Sequence, residues 1–291
     1  MYEKPTAPAG IGGVLDDGLR LWRVSLPVTW GLALMAQTVV SAPSILFPPA
    51  PLELPPGLPL SQRMTLVMQE SSRHSLLTFV LVLISYIFVN AIMLRINSVA
   101  EEREISFSEA IASGCSLLLR TWWFLILVVI GLMLFGFVVF VVAAAVGKSP
   151  ALGAQILVGL ITLAALIYIL YAAVKLVAAY PAMIADDLSA WDSLQTSWIM
   201  TRGFWWRVFN LLIVLAIIGL ALAVVIVFIA GMMVVLFGAA SRVAILMSGF
   251  AGILVYSLLG SLTPAMLLAI YNDFKLRKEG GDLAERVGAL R

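Results

Sequence analysis

Six stretches of this 291-residue chain are built almost wholly of apolar side chains, and that constrains the fold more than any motif does. They run roughly Leu26 to Phe47, Ser75 to Ile96, Thr121 to Val146, Ala154 to Ala179, Val208 to Phe237 and Val243 to Tyr271. Crossing a hydrocarbon core takes about 20 consecutive apolar helical residues, and each stretch is long enough. No Asp, Glu, Lys or Arg lies at mid-span in any of them. Helix is the form they must take. Lipid cannot satisfy an open sheet edge, and the alternation of a barrel strand is missing. A chain that is 62% hydrophobic and 12% charged lies outside the range of soluble domains.

Basic residues set the expected orientation. Lys4, Arg20 and Arg23 precede the first span; Arg95, Arg103 and Arg120 lie between the second and third. Lys175, Arg202 and Arg207 lie between the fourth and fifth, and Lys275, Arg277, Lys278, Arg286 and Arg291 follow the sixth. Only Arg63, Arg73, Lys148 and Arg242 fall on the other side. This asymmetry predicts a multi-pass membrane protein with both termini cytoplasmic. The first apolar run begins late and is long enough to span, so it does not read as a signal peptide.

An acid recurs thirteen positions before a tryptophan at the mouth of an apolar run: Asp17 and Trp30, Glu109 and Trp122, Asp192 and Trp205. Ser106 with Glu109, and Ser189 with Asp192, have the spacing of a capping box. Apolar stripes follow at helical spacing. They are Leu15, Leu19, Trp22 and Leu26; Phe107, Ala110, Ile111, Cys115 and Leu118; and Leu188, Trp191, Leu194, Trp198 and Ile199. A shift of 83 positions brings Trp122-Trp123 onto Trp205-Trp206.

The fold class that follows is all-α: six transmembrane helices as three parallel-repeat hairpins, each preceded by a cytoplasmic amphipathic interfacial helix. The units run approximately 14–97, 106–180 and 189–271 within a single membrane domain over 1–291, with a cytoplasmic tail at 272–291. Residues 1–13 read as loose. Pro43 to Pro59 reads as an extended, proline-rich outer loop, and Ser61 to Ser72 as a short surface helix. Gly280 and Gly281 read as the stop of the last helix.

The residues with chemistry are few. Cys115 is the single cysteine and His74 the single histidine, which excludes an internal disulfide and cysteine- or histidine-rich metal sites. Cys115 falls on an apolar stripe and reads as buried. Gly10, Gly12 and Gly13 lack the preceding strand and the lysine of a phosphate-binding loop. Catalytic residues, metal and cofactor are therefore all expected to be none, and no nucleic-acid-binding patch is visible. Asp17, Ser106, Glu109, Ser189 and Asp192 read as helix caps. Arg202, Trp205, Trp206 and Arg207, with Arg120, Trp122 and Trp123, form a candidate lipid-headgroup site, since indole favours the boundary layer and guanidinium suits phosphate. Lys175 and Arg95 are expected to snorkel to water from their span ends. Asn90, buried deeper, is expected to bond a neighbouring helix. Asn90, Thr162, Asn210 and Ser257 come from different spans and would line a polar path if one existed.

The segment "MIADDLSAWDSLQTSWIMTRGFWWRVFNLLIV" resembles the membrane domain fused to some bacterial glycerophosphodiester phosphodiesterases and its stand-alone six-helix relatives. The residues that carry the resemblance are Asp192, Leu194, Ser197, Trp198, Thr201, Arg202, Gly203 and Trp206. The tail "YNDFKLRKEGGDL" resembles the ending of related proteins through Tyr271, Asp273, Arg277, Lys278, Glu279, Gly280, Asp282 and Leu283. No segment matches a phosphodiesterase catalytic domain, so the resemblance implies a membrane fold and not hydrolysis. The functional expectation is a non-catalytic, lipid-interacting scaffold or accessory subunit. Its partners would be membrane phospholipids and a membrane-protein partner or a second copy. The alternative is a permease or lipid transporter with a path between the hairpins.

Overall fold

The computed structural model describes residues 2–46, 60–147, 152–238 and 241–289. Among these it is all helical. In chain order the helices are α1 (Ile11–Leu46), α2 (Leu60–Ala100), α3 (Phe107–Ser116), α4 (Leu118–Gly147) and α5 (Leu152–Lys175). Then come α6 (Ala179–Ala185), α7 (Ala190–Met200), α8 (Trp205–Phe237) and α9 (Arg242–Ala289). Six helical stretches are long and apolar enough to cross a membrane: Ile11–Pro43, Leu76–Ala100, Leu118–Gly147, Leu152–Ala185, Trp205–Phe237 and Arg242–Lys278. That fits a multi-pass membrane protein.

The described chain forms two compact units. One comprises Met1–Tyr2, Leu21–Ser116 and Leu215–Pro264; the other comprises Glu3–Arg20, Leu117–Val214 and Ala265–Arg291.

In the first unit, Leu21, Leu32, Ala33, Ala91, Ile92, Met93 and Ile96 are buried. Polar side chains tie its helices together. The Trp22 indole N–H donates to Ser261 Oγ (3.1 Å) and that of Trp30 to Ser257 Oγ (2.9 Å), joining α1 to α9. Arg95 donates through Nη1 to the Val28 carbonyl (2.7 Å) and ties α2 to the α1 backbone. Asn90 donates to the Gly114 carbonyl (3.2 Å) and joins α2 to α3. That contact requires a glycine, because a Cβ at position 114 would lie 2.3 Å from the Ile87 carbonyl oxygen.

In the second unit, α5 stops at Lys175, short of the expected Ala179. The Ala179 N–H bonds Leu176 O (3.0 Å), which frees the Lys175 carbonyl. Ser197 of α7 supplies the missing partners: its hydroxyl donates to Lys175 O (2.7 Å) and accepts from Ala178 N–H (3.1 Å). Thr201 Oγ1 also reaches Lys175 O (3.4 Å). The break is thus satisfied by the short helix packed on it, as buried backbone groups require. Val174, Met183, Val208, Leu211, Leu268, Tyr271 and Phe274 are buried in this unit.

Several expectations need correction. α1 is one continuous helix, with no separate lead-in before the first span. Between Arg20 and Trp30 the one helix-breaking residue is Pro27, and nearby hydroxyls bond back to the backbone: Ser25 to Trp22 O and Thr29 to Ser25 O. Such bonds let a proline bend a helix without ending it. After α7, by contrast, Gly203 takes a positive φ of 88°, which breaks the chain before α8. The stretch 61–72 is helical but continuous with α2. Pro43 belongs to α1, and 47–59 lies outside the described residues. α9 continues through Gly280 and Gly281 to Ala289; two glycines cost about 1 kcal/mol each against Ala, and the Leu, Lys, Arg and Glu around them are good helix formers. The segment before α1 is held, not loose: Tyr2 is buried and Ala9 is bonded through both its backbone groups.

Candidate functional site

The two short helices, α3 and α7, bury their small residues and leave their large ones uncovered. In α3 the buried positions are Ala110 and Gly114, while Phe107 and Cys115 are exposed. Cys115, expected to be buried on the apolar stripe, therefore lies at the surface. The reason is steric: close approach to α2 selects the face with the smallest side chains. In α7, Ala190, Ser193 and Ser197 are buried while Trp191, Trp198 and Ile199 are exposed. Of the residues in the two sequence stripes, Ala110 is packed, whereas Phe107, Cys115, Trp191, Trp198 and Ile199 are exposed.

Both helices begin on a serine. Ser106 Oγ accepts from Glu109 N–H (3.2 Å) and Ser189 Oγ from Asp192 N–H (3.1 Å). The reciprocal arm at α7 differs from a capping box. Ser189 Oγ donates directly to Asp192 Oδ2 (2.6 Å), so the carboxylate orients the hydroxyl. Asp17 lies beyond the first turn of α1 and does not cap it. It lines a small cavity with Asn272 and Asp273.

An aromatic cluster runs along the ends of α5, α7 and α8. Trp205 stacks on Tyr171 (centroids 5.9 Å apart) and on Phe209 (5.0 Å), and Trp206 meets it edge-on at 4.7 Å. Trp205 Nε1 donates to Tyr171 O (3.3 Å), which fixes the ring. Tyr171 also meets Trp198 edge-on at 6.1 Å. Lys175 lies between these rings, its ammonium 5.7 Å from the Tyr171 centroid and 5.6 Å from that of Trp198. Only 4% of Lys175 is exposed, so it does not extend to water as expected.

The basic residues proposed from sequence have separate destinations. Arg207 leaves the aromatic cluster: its Nη2 donates to Asp273 Oδ2 (3.1 Å) and to Ala9 O (2.5 Å). Arg277 donates through Nε to Asp273 Oδ2 (2.9 Å) and through Nη2 to Ala9 O (2.6 Å). Asp273 Oδ1 accepts from Ala9 N–H (3.0 Å). One buried carboxylate and two guanidiniums thus clamp the backbone of the N-terminal segment. Nearby, Asp186 accepts from Tyr271 Oη (2.5 Å) and Lys275 Nζ (2.6 Å). Arg120 pairs with the exposed Asp187 (2.5 Å). Arg202, Trp123 and Trp206 are exposed and Trp122 is half-buried.

The four residues named for a polar path differ in burial. Asn90 and Ser257 are buried and bonded to neighbouring helices, whereas Thr162 and Asn210 are exposed. Thr162 bonds its own helix through Val158 O (2.9 Å). His74 falls within α2, and its side chain lies outside the described residues. Among the described residues, no group of three or more His, Cys, Asp or Glu is placed to hold a metal ion.

An apolar groove of about 400 Å³ lies between α4 and α5. Its walls include Phe124, Val128, Leu132 and Phe135 from α4, and Tyr168, Ala172 and Leu176 from α5 and the turn after it.

Sequence reasoning missed the roles of Lys175 and Asp273. Lys175 was visible as the cation ending the fourth apolar run. Asp273 was visible as part of the tail resemblance and four residues before Arg277, but its other partners lie 66 and 264 positions away. No protein-family model, curated protein or solved structure matches the chain.

Proposed function

We propose that this chain is a non-catalytic, lipid-interacting protein of the bacterial inner membrane that serves as a scaffold or accessory subunit, with both termini cytoplasmic. The observation that carries this reading is the uncovered large apolar face of α7, with Trp191 and Trp198 beside the exposed Trp206 and Arg202. Large apolar residues left exposed next to a spanning helix suit the headgroup layer, where indole has an apolar body and a polar edge. α3 presents Phe107 in the same manner.

A repeat relation between the second and third units is part of the proposal. At an offset of 83, Ser106 and Glu109 correspond to Ser189 and Asp192, and the buried Ala110 and Gly114 correspond to the buried Ser193 and Ser197. Each short helix also bonds the long helix before it, α3 to Asn90 of α2 and α7 to Lys175 of α5. The resemblance to phosphodiesterase-linked membrane domains agrees with a membrane role that needs no active site.

The test is extraction from native membrane into lipid nanodiscs or mild detergent, followed by analysis of what copurifies. Anionic phospholipid and a stoichiometric protein partner or second copy are expected. Recovery of a bare, monomeric, delipidated chain would refute the reading.

A further inference from the structure

We propose that the α4–α5 groove and Lys175 together form a binding site for one phospholipid, with an acyl chain in the groove and the lipid phosphate on the Lys175 ammonium. The inference rests on the membrane reading above and assigns it a site.

Two independent observations meet here. The first is the groove, which is apolar along its length. From Phe124 to Phe135 helix α4 rises roughly 16 Å at about 1.5 Å per residue. One leaflet of a hydrocarbon core about 30 Å thick is roughly 15 Å deep. The groove therefore matches the reach of an acyl chain within one leaflet.

The second observation is the cation. Lys175 is 96% removed from solvent by its 4% exposure, yet among the described residues no carboxylate lies within ion-pair distance of it. The ring faces of Tyr171 and Trp198 and the carbonyl end of α5 favour a cation there, but they leave its net charge unneutralised. The neighbouring guanidiniums differ in this respect: Arg120 is paired with Asp187 and Arg207 with Asp273.

Lys175 is not itself part of the groove wall but lies beyond its end on α5. Tyr168 and Ala172 line the groove, and Lys175 follows them at positions i, i+4 and i+7 on one face of α5. An acyl chain running along Tyr168 and Ala172 brings its headgroup to the Lys175 end of the helix. An ammonium with three rotatable donors suits a phosphate whose angle of approach is not fixed.

The test uses the full-length protein in detergent, titrated with phosphatidylglycerol, phosphatidylcholine or inorganic phosphate and read by native mass spectrometry. Two variants probe the two halves of the site. Lys175→Met removes the charge, while the ties to Ser197 and Thr201, made by the main-chain carbonyl, remain. Gly131→Leu fills the groove from a position where a Cβ meets nothing within 4 Å. Lys175→Met should weaken phosphatidylglycerol about fivefold, as a basic residue contributes on the order of 1 kcal/mol toward an anionic lipid, and phosphatidylcholine less. Gly131→Leu should weaken both lipids and leave any binding of inorganic phosphate unchanged. A phosphatidylglycerol affinity within about twofold of wild type in either variant would overturn the proposal. So would inorganic phosphate that displaces lipid as well as a second lipid does, since the site would then hold free phosphate. If both variants keep their lipid, this site is wrong while the lipid-interacting reading stands; a wild-type protein that binds no lipid ends both.

Discussion

Replacing Asp273 with alanine should release the N-terminal segment. The carboxylate is 7% exposed and receives Arg207 at 3.1 Å, Arg277 at 2.9 Å and the Ala9 amide at 3.0 Å. Removing one partner of a buried ion pair costs about 3–5 kcal/mol, because the remaining charge stays buried. Arg207 Nε already lacks a partner among the described residues, so the guanidinium has little to fall back on. At the low end of that range, local opening rises roughly 100-fold, at about 1.4 kcal/mol per decade. Hydrogen–deuterium exchange of peptides covering residues 3–10 measures this directly, since Ala9 N–H is itself the donor. Exchange there should accelerate by about that factor while α4 and α5 keep their protection. Lys275→Met provides the comparison: its bond to Asp186 is about a third exposed, and such pairs contribute only about 0–1 kcal/mol. If Asp273→Ala exchanges at residues 3–10 like Lys275→Met, the buried clamp does not hold the segment and the reasoning fails.

Three further outcomes follow. Gly114→Val should lower thermal stability in detergent by about 1–3 kcal/mol through overpacking against Ile87, and a melting temperature equal to wild type would contradict the α2–α3 contact. Ser189→Ala should cost about 1 kcal/mol of α7 stability through loss of the cap, read as faster amide exchange confined to residues 190–200. Cys115 is the single cysteine and is exposed; a membrane-impermeant maleimide should label it in inside-out vesicles and not in right-side-out ones. The reverse pattern would invert the proposed orientation.

The six long helices were legible because a span needs only length and apolarity, both of which are local properties. The starts of α3 and α7 were legible because a serine three residues before an acid is a local signal. The packed face of α3 was misread at Cys115, which was expected to be buried. Hydrophobicity points to Phe107, Cys115, Trp191 and Trp198, but between helices in an apolar solvent close approach counts for more than hydrophobicity, and small residues win. Ala110, Gly114, Ser193 and Ser197 are the result. The ends of α5 and the attachment of residues 3–10 depend on partners far away in the chain, and no local pattern announces them. Arg207 shows the same limit, since its neighbours in sequence are tryptophans but its partner is Asp273.

The pairing of Trp22 with Ser261 and Trp30 with Ser257 also has a consequence in time. The donors and acceptors are 239 and 227 residues apart. At roughly 5–20 residues per second, a ribosome needs on the order of 10–50 s to deliver the serines after the indoles have emerged. α1 must therefore wait for α9 before its indoles are matched. Meanwhile those indoles need provisional acceptors. The closure of α1 against α9 therefore comes only after every helix between them has been made.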